Sequence, residues 1–213
     1  VLLWDYDNSI ETITDPEIGD EIQPSTGLER VLQAAGIDYT FVNYLPNNLN
    51  NYDMIFSTMG CFCVDWGLTP PGLVTVADQA KLLNYLENGG NLYFESTNVA
   101  EDYQGTAFYN YMGISYLGEG TENEVAKVSG VNQTITSDLK MDYQGGTSPH
   151  YGVDRLGAVS AEQLFTCEHD FGRFFLLDNG NNKIVTSSLV IGALANNDSL
   201  NQKPFIISEI VNK

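Results

Sequence analysis

The segment from Leu82 to Asn98, LLNYLENGGNLYFESTN, constrains the fold more than any other part of the chain. It reads as an amphipathic helix, a Gly89-Gly90 stop, a short buried strand and a polar corner. In an open α/β sheet such a corner lies at the carboxyl end of a strand, where ligands and nucleophiles usually sit. This corner carries Glu95, Ser96, Thr97 and Asn98, with no cysteine and no glycine-flanked nucleophile. Ser96 and Thr97 are therefore its candidate nucleophiles; Glu95 and Asn98, with Asp5, Asp7 and Thr58 at neighbouring strand ends, are the candidate ligand-binding groups, and Asp5, Asp7, Thr58 and Glu95 are expected to converge on one rim of the sheet.

Strands and helices alternate around this segment. Val1 to Trp4 is an apolar run ending on Asp5, Asp7 and Asn8, the pattern of a buried first strand that delivers polar groups at its carboxyl end. Thr26 and Glu29 form a T-x-x-E capping box, and Leu28, Val31, Leu32 and Ala35 recur at helical spacing before Gly36. Tyr39 to Tyr44 reads as a second strand and Met54 to Ser57 as a third. After Pro70-Pro71, Val76, Ala80, Leu83 and Leu86 mark one face of a second helix. Asn91 to Phe94 follows as a fourth strand, and a shorter helix covers Thr106 to Met112.

Such alternation implies βαβ crossovers and a mainly parallel sheet with helices on both sides. From about Ile114 short β-like runs take over, at Glu124 to Val128, Gln163 to Cys167, Arg173 to Leu177 and Lys183 to Val190. The last is placed to return to the sheet, and Pro204 to Val211 reads as a closing helix with proline in its first turn. The expectation is an α/β, flavodoxin-like three-layer sandwich forming one domain. Residues 1–113 would be its βαβ core, and residues 114–213 its β-rich additions with the closing strand and helix.

Charge narrows the partners. Nine Lys and Arg against 28 Asp and Glu give a formal net charge of -19, which argues against nucleic acid, because neutralising phosphates needs basic patches. No apolar run approaches the roughly 18 residues that span a bilayer, so membrane insertion is not expected. The 12 tyrosines, with abundant Asn, Gly, Ser and Thr, match the composition of secreted bacterial surface proteins and point to an extracellular or cell-surface address. Opening on a strand without an initiator Met, the chain is expected to be a piece of a longer protein whose neighbouring domains are its partners.

The opening VLLWDYD, the YDMIFSTMG strand and corner, YLENGGNLYFEST, the FYNYMGISYLG segment, and KIVTSSLVIGALANN with KPFIISEIV carry a family resemblance in the expected order. The chain resembles the amidotransferase-like domains, related to class I glutamine amidotransferases and the ThuA-like group, of large secreted bacterial proteins. That resemblance implies a flavodoxin-like core with extra strands inside a modular host. Catalytic members of the family place a cysteine in a tight strand-to-helix turn and a histidine near the final strand and helix. Here Ser96 or Thr97 stands in the nucleophile region, and Gly192 to Asn196 contains no histidine. The two histidines, His150 and His169, lie in the irregular second half, although a hydroxyl nucleophile needs a base within hydrogen-bond reach.

Other constellations compete with ordinary structural roles. The D-Y-D-N-S run at Asp5 to Ser9, with Thr58 at a neighbouring strand end, resembles the first two motifs of haloacid-dehalogenase-like phosphotransferases, against the simpler reading of strand-end carboxylates facing solvent. Glu11, Asp15, Glu17, Asp20 and Glu21 form an acidic loop that offers calcium oxygen ligands, but without EF-hand spacing; a solvated loop is the alternative. Cys61, Cys63, Cys167 and His169 supply a zinc-type ligand set, a disulfide pair, or a Cys63–His169 catalytic pair, against buried free thiols. Trp4, Trp66, Tyr103, Tyr109, Tyr111, Tyr116 and His150 suit a stacking surface for a glycan or peptide, or simply a core. Taken together, the expected function is a noncatalytic ligand-binding or structural module. The competing class is a divergent hydrolase: a peptidase or amidase, or a metal-assisted phosphotransferase using Asp5 and Asp7.

Overall fold

The computed structural model describes residues 1–7, 10–61, 73–196 and 202–212. In chain order the elements begin β1 (Leu2–Asp5), β2 (Ile13–Thr14), β3 (Glu21–Ile22), α1 (Pro24–Ala34), β4 (Thr40–Val42), β5 (Met54–Thr58), α2 (Val76–Glu87) and β6 (Asn91–Glu95). They continue as α3 (Val99–Tyr103), α4 (Ala107–Tyr111), β7 (Ile114–Glu119), β8 (Lys127–Gly130), β9 (Lys140–Asp142) and β10 (Asp154–Ala158). The chain closes with β11 (Glu162–Thr166), β12 (Gly172–Asp178), β13 (Lys183–Ser187) and α5 (Gln202–Asn212).

The centre of the sheet is parallel in the order β4-β1-β5-β6-β13. From β13 it continues antiparallel through β12, β11, β8 and β9, while β10 pairs with β12 and carries β7. β13 is thus the strand where the parallel core meets the C-terminal additions. Period-two alternation divides the core between two faces. Leu3, Phe56, Tyr93 and Val185 point to the side of Leu28, Val31 and Leu32 of α1 and Ile206, Ile207 and Ile210 of α5. Leu2, Trp4, Ile55, Leu92, Phe94 and Ile184 point to the side of Leu82, Tyr85 and Leu86 of α2 and of Tyr103 and Phe108. These are the three layers of a flavodoxin-like sandwich.

Local details depart from the expectations drawn from sequence. The Thr26/Glu29 capping box is not used: Pro24, whose fixed φ suits a first helical position, starts α1 three residues earlier behind Gln23. On α2 the buried face is Leu82, Tyr85 and Leu86, whereas Val76 and Ala80 are exposed. Tyr85 decides the rotation. Its hydroxyl donates to the Tyr52 carbonyl at 2.9 Å, and its ring lies so close to Gly90 that any side chain there would overlap it. Glu124 lies in a loop ahead of β8, and the short helix α3 at the Ser96–Asn98 corner has no counterpart among the helices expected from periodicity.

Candidate site at the strand ends

Parallel register brings the predicted rim together. Asp5 of β1 pairs with Thr58 of β5, Thr58 with Glu95 of β6, and Glu95 with Ser187 of β13. Asp7 extends this row: its N–H donates to Asp5 Oδ1 at 3.0 Å, and its carboxylate rests on Gly60, where an added Cβ would fall 2.1 Å from Asp7 Oδ1. Only glycine fits there, both for that contact and for its φ of +77°.

The rim is buried along β5, β6 and β13, while Asp5 and Asp7 at its β1 end are half-buried. Thr58, Glu95, Ser96, Thr97 and Ser187 are all 0% exposed. Glu95 Oε2 accepts from the Tyr93 hydroxyl at 2.8 Å and the Ile191 N–H at 3.0 Å. Burial, reinforced by the nearby Asp7 charge, pushes Glu95 up to about 7 against those two bonds. Burial also raises Asp5. The Cys61 thiol is hydrogen-bonded with the Tyr151 hydroxyl at 3.2 Å and is pushed up strongly by burial, the reverse of an activated thiolate.

The Thr97 hydroxyl is committed to the backbone and to an amide. Thr97 Oγ1 donates to the Cys61 carbonyl and lies 2.9 Å from Asn98 Oδ1, both of them neutral acceptors too weakly basic to activate it. Ser96 Oγ accepts the Asn98 N–H at 3.3 Å. Asn98 turns its amide nitrogen outward to Glu101 at 3.2 Å. Neither histidine joins the corner: His150 is exposed and faces Glu11 at 3.3 Å, and His169 is exposed in the turn between β11 and β12. Cys63 lies outside the described residues, as do Asn8, Ser9 and Trp66.

The zinc-type set is not assembled from its described members. Cys61 and Cys167 are buried free thiols, and Cys167 Sγ instead accepts from Arg173 Nε at 3.0 Å. The acidic loop likewise disperses. Asp15 pairs with Arg30, Glu17 with Lys203 at 2.6 Å, Glu21 with the hydroxyls of Thr12 and Thr14, and Glu11 with His150. The backbone N–H of Asp15 donates to the carbonyl of Asp20 at 2.8 Å, which closes the turn of the β2-β3 hairpin. Among the described residues no group of three or more His, Cys, Asp or Glu is arranged to hold a metal ion. Calcium is therefore expected to raise the melting temperature no more than sodium chloride at matched ionic strength, since carboxylates dispersed among separate partners offer no shared site and the exposed ones respond to screening alone. A calcium-specific rise would restore the loop as a site.

The aromatic set is mostly interior. Trp4 and Tyr103 are fully buried and Tyr109 nearly so, leaving Tyr111 and Tyr116 half-buried and His150 outside. One residue at the corner is not legible from sequence. Asp154 at the head of β10 accepts the N–H groups of Ala100 at 2.6 Å and Glu101 at 2.9 Å, and its own N–H donates to the Thr97 carbonyl at 2.8 Å. It pins the start of α3 from 54 residues away, and burial pushes it up to about 7. Nothing in the flanking YGVDRLG marks such a role. A lone Asp among Tyr151, Val153 and Leu156 is the only signal.

No family model and no curated protein matches the sequence. Solved structures do match in shape. A β-galactosidase from Rahnella sp. R3 superposes with a TM-score of 0.61 at 13% identity, over 98% of this chain and 30% of its own, so this chain spans under a third of that enzyme. A ThuA-like protein from Bacteroides uniformis gives 0.57 at 12% identity, over 99% of this chain and 89% of its own. A GMP synthase-like protein from Thermoplasma acidophilum gives 0.56 at 12% identity, over 100% and 92%. At these identities likeness speaks to architecture, and the chain has the ThuA-like, glutamine amidotransferase-like fold.

Proposed function

We propose that this chain is a noncatalytic module of a larger secreted or cell-surface bacterial protein, built on an amidotransferase-like scaffold whose catalytic corner serves as packing. The observation that carries the proposal is the corner itself. Ser96 and Thr97 are buried, the Thr97 proton is directed at neutral acceptors, and both imidazoles lie on the outside. A nucleophile needs access and a base, and among the described residues Thr97 has neither. In support of a modular role, the whole fold corresponds to under a third of a β-galactosidase. The proposed partners are neighbouring domains rather than a stacked glycan, because Trp4, Tyr103 and Tyr109 face the core. An acidic, tyrosine- and asparagine-rich composition supports the extracellular address.

Glutamine, simple esters and aryl phosphates are expected to show no turnover with the purified chain. Turnover that disappears on Ser96→Ala or Cys63→Ala would replace the module with a hydrolase, and turnover lost on Asp5→Asn would replace it with a phosphotransferase. The address is tested separately, by fractionating cells that express the full-length gene product. Recovery in the soluble cell interior would overturn that part of the proposal.

A further inference from the structure

We propose that the turn joining β12 to β13 is a self-modifying site, in which Asn179 loses its side-chain amide with assistance from Asp178. Asn-Gly pairs are prone to this chemistry because glycine leaves the following backbone nitrogen uncrowded. The chain has two such pairs, Asn88-Gly89 and Asn179-Gly180, and their surroundings differ.

At Asn179 the base and the donors to the carbonyl oxygen are already in place. The attacking atom is the Gly180 nitrogen, and its N–H donates to Asp178 Oδ1 at 2.9 Å, so a carboxylate stands ready as base. The carbonyl under attack is the Asn179 side chain, whose Oδ1 accepts the N–H groups of Asn181 and Asn182, each at 3.0 Å. Two backbone donors at that distance hold the oxygen on which negative charge develops, as in an oxyanion hole. The turn is exposed from residue 178 to 181, so water reaches it, and an added Cβ at Gly180 would meet nothing within 4 Å. At Asn88 the arrangement is opposite. The Gly89 N–H donates to the Leu86 carbonyl at 3.0 Å, a poor base, and the Asn88 amide nitrogen donates to the Asn84 carbonyl at 2.7 Å, capping α2.

The reaction balances without an outside reagent other than water. Asp178 takes the Gly180 amide proton as the nitrogen bonds to Asn179 Cγ, and charge passes to Oδ1. The Cγ–Nδ2 bond then breaks, and the proton returns to the leaving nitrogen, which departs as ammonia. Water opens the resulting cyclic imide at either carbonyl, giving aspartate or isoaspartate at position 179. The isoaspartate product lengthens the main chain by one carbon beside Asn181, whose carbonyl lies 3.5 Å from where a Cβ on Gly89 would be.

The test is a time course on the folded full chain at mildly alkaline pH, with peptide mapping by mass spectrometry for the ~1 Da gain that accompanies amide-to-acid conversion. Asn179 is expected to convert at least about tenfold faster than Asn88 within the same molecules, and Asp178→Ala to slow Asn179 by about tenfold or more while leaving Asn88 unchanged. Equal rates at the two sites in the wild type would overturn the proposal, with no variant needed. An Asp178→Ala protein that stays folded, shown by an unchanged Asn88 rate, yet converts Asn179 at the wild-type rate would overturn the role of Asp178. Should Asp178→Ala unfold, Asp178→Asn supplies the same comparison with the turn's shape kept.

Discussion

Glu124→Ala is expected to destabilise the protein by about 3–5 kcal/mol, the cost of leaving a buried charge without its counterion. The charge is Arg173, which is 0% exposed on β12. Its Nη2 lies 3.3 Å from Glu124 Oε2, while Nη1 donates to the Val153 carbonyl and Nε to Cys167. Those last two acceptors are neutral and cannot replace a carboxylate. Glu124 also receives Arg155, through Nε at 2.8 Å and through Nη2, and the paired guanidinium holds its carboxyl down to about 2. Arg155 is the more dispensable partner, since it is partly exposed and its guanidinium stacks 4.7 Å from the Phe171 ring centroid. The network ties the loop before β8 to β10 and β12, where the antiparallel additions join the parallel core. Equilibrium unfolding in urea measures the effect, and a loss below about 1 kcal/mol would mean the pairing contributes no more than an exposed one. The double replacement Glu124→Leu with Arg173→Met should recover most of the loss, because removing both charges removes the desolvation problem.

Stability is also expected to fall as the pH rises from about 5 to about 8, with Glu95 alone contributing about 3 kcal/mol of that fall. The sign follows from its raised value in the folded state, about 7 against 4.5 for the unfolded carboxyl. Below the unfolded value both states are protonated and nothing is lost. Between the two values the unfolded chain releases its proton while the folded chain keeps it, so rising pH favours unfolding; above about 7 the penalty is complete. Asp154, raised for the same reason, adds a slope of the same sign. Glu124 acts oppositely and much lower, its contribution being lost only as pH falls below 4.5 toward about 2. Glu95→Gln should therefore flatten the loss between about pH 5 and 8 without abolishing it, because Asp154 remains. Melting temperatures of wild type and variant across that range decide the matter. Parallel curves would show that Glu95 is ionised throughout, with its charge held by partners rather than suppressed by burial.

The sequence by itself determined the core. Its parallel strands, the glycine stop before β6 and the closing helix follow from periodicities and breaks that a short window contains. The rim followed too, because parallel strands that end on polar residues must end on the same side, and Asp5, Thr58 and Glu95 fall in one row of register. Tertiary structure decided whether that row is open or closed, and what each charge meets. The α2 helix had apolar residues on two faces, and only the seat of Tyr85 over Gly90 chose between them. The acidic loop looked like one cluster, yet Glu17 found Lys203, 186 residues away, and Asp15 found Arg30 on α1. Asp154 and Arg173 gave almost no local sign of burial because their partners arrive from other elements. Conformational preference and periodicity act over a few residues and can be read locally. Desolvation and charge pairing depend on which distant groups the packed chain brings within a few ångströms, and no window of sequence contains that distance.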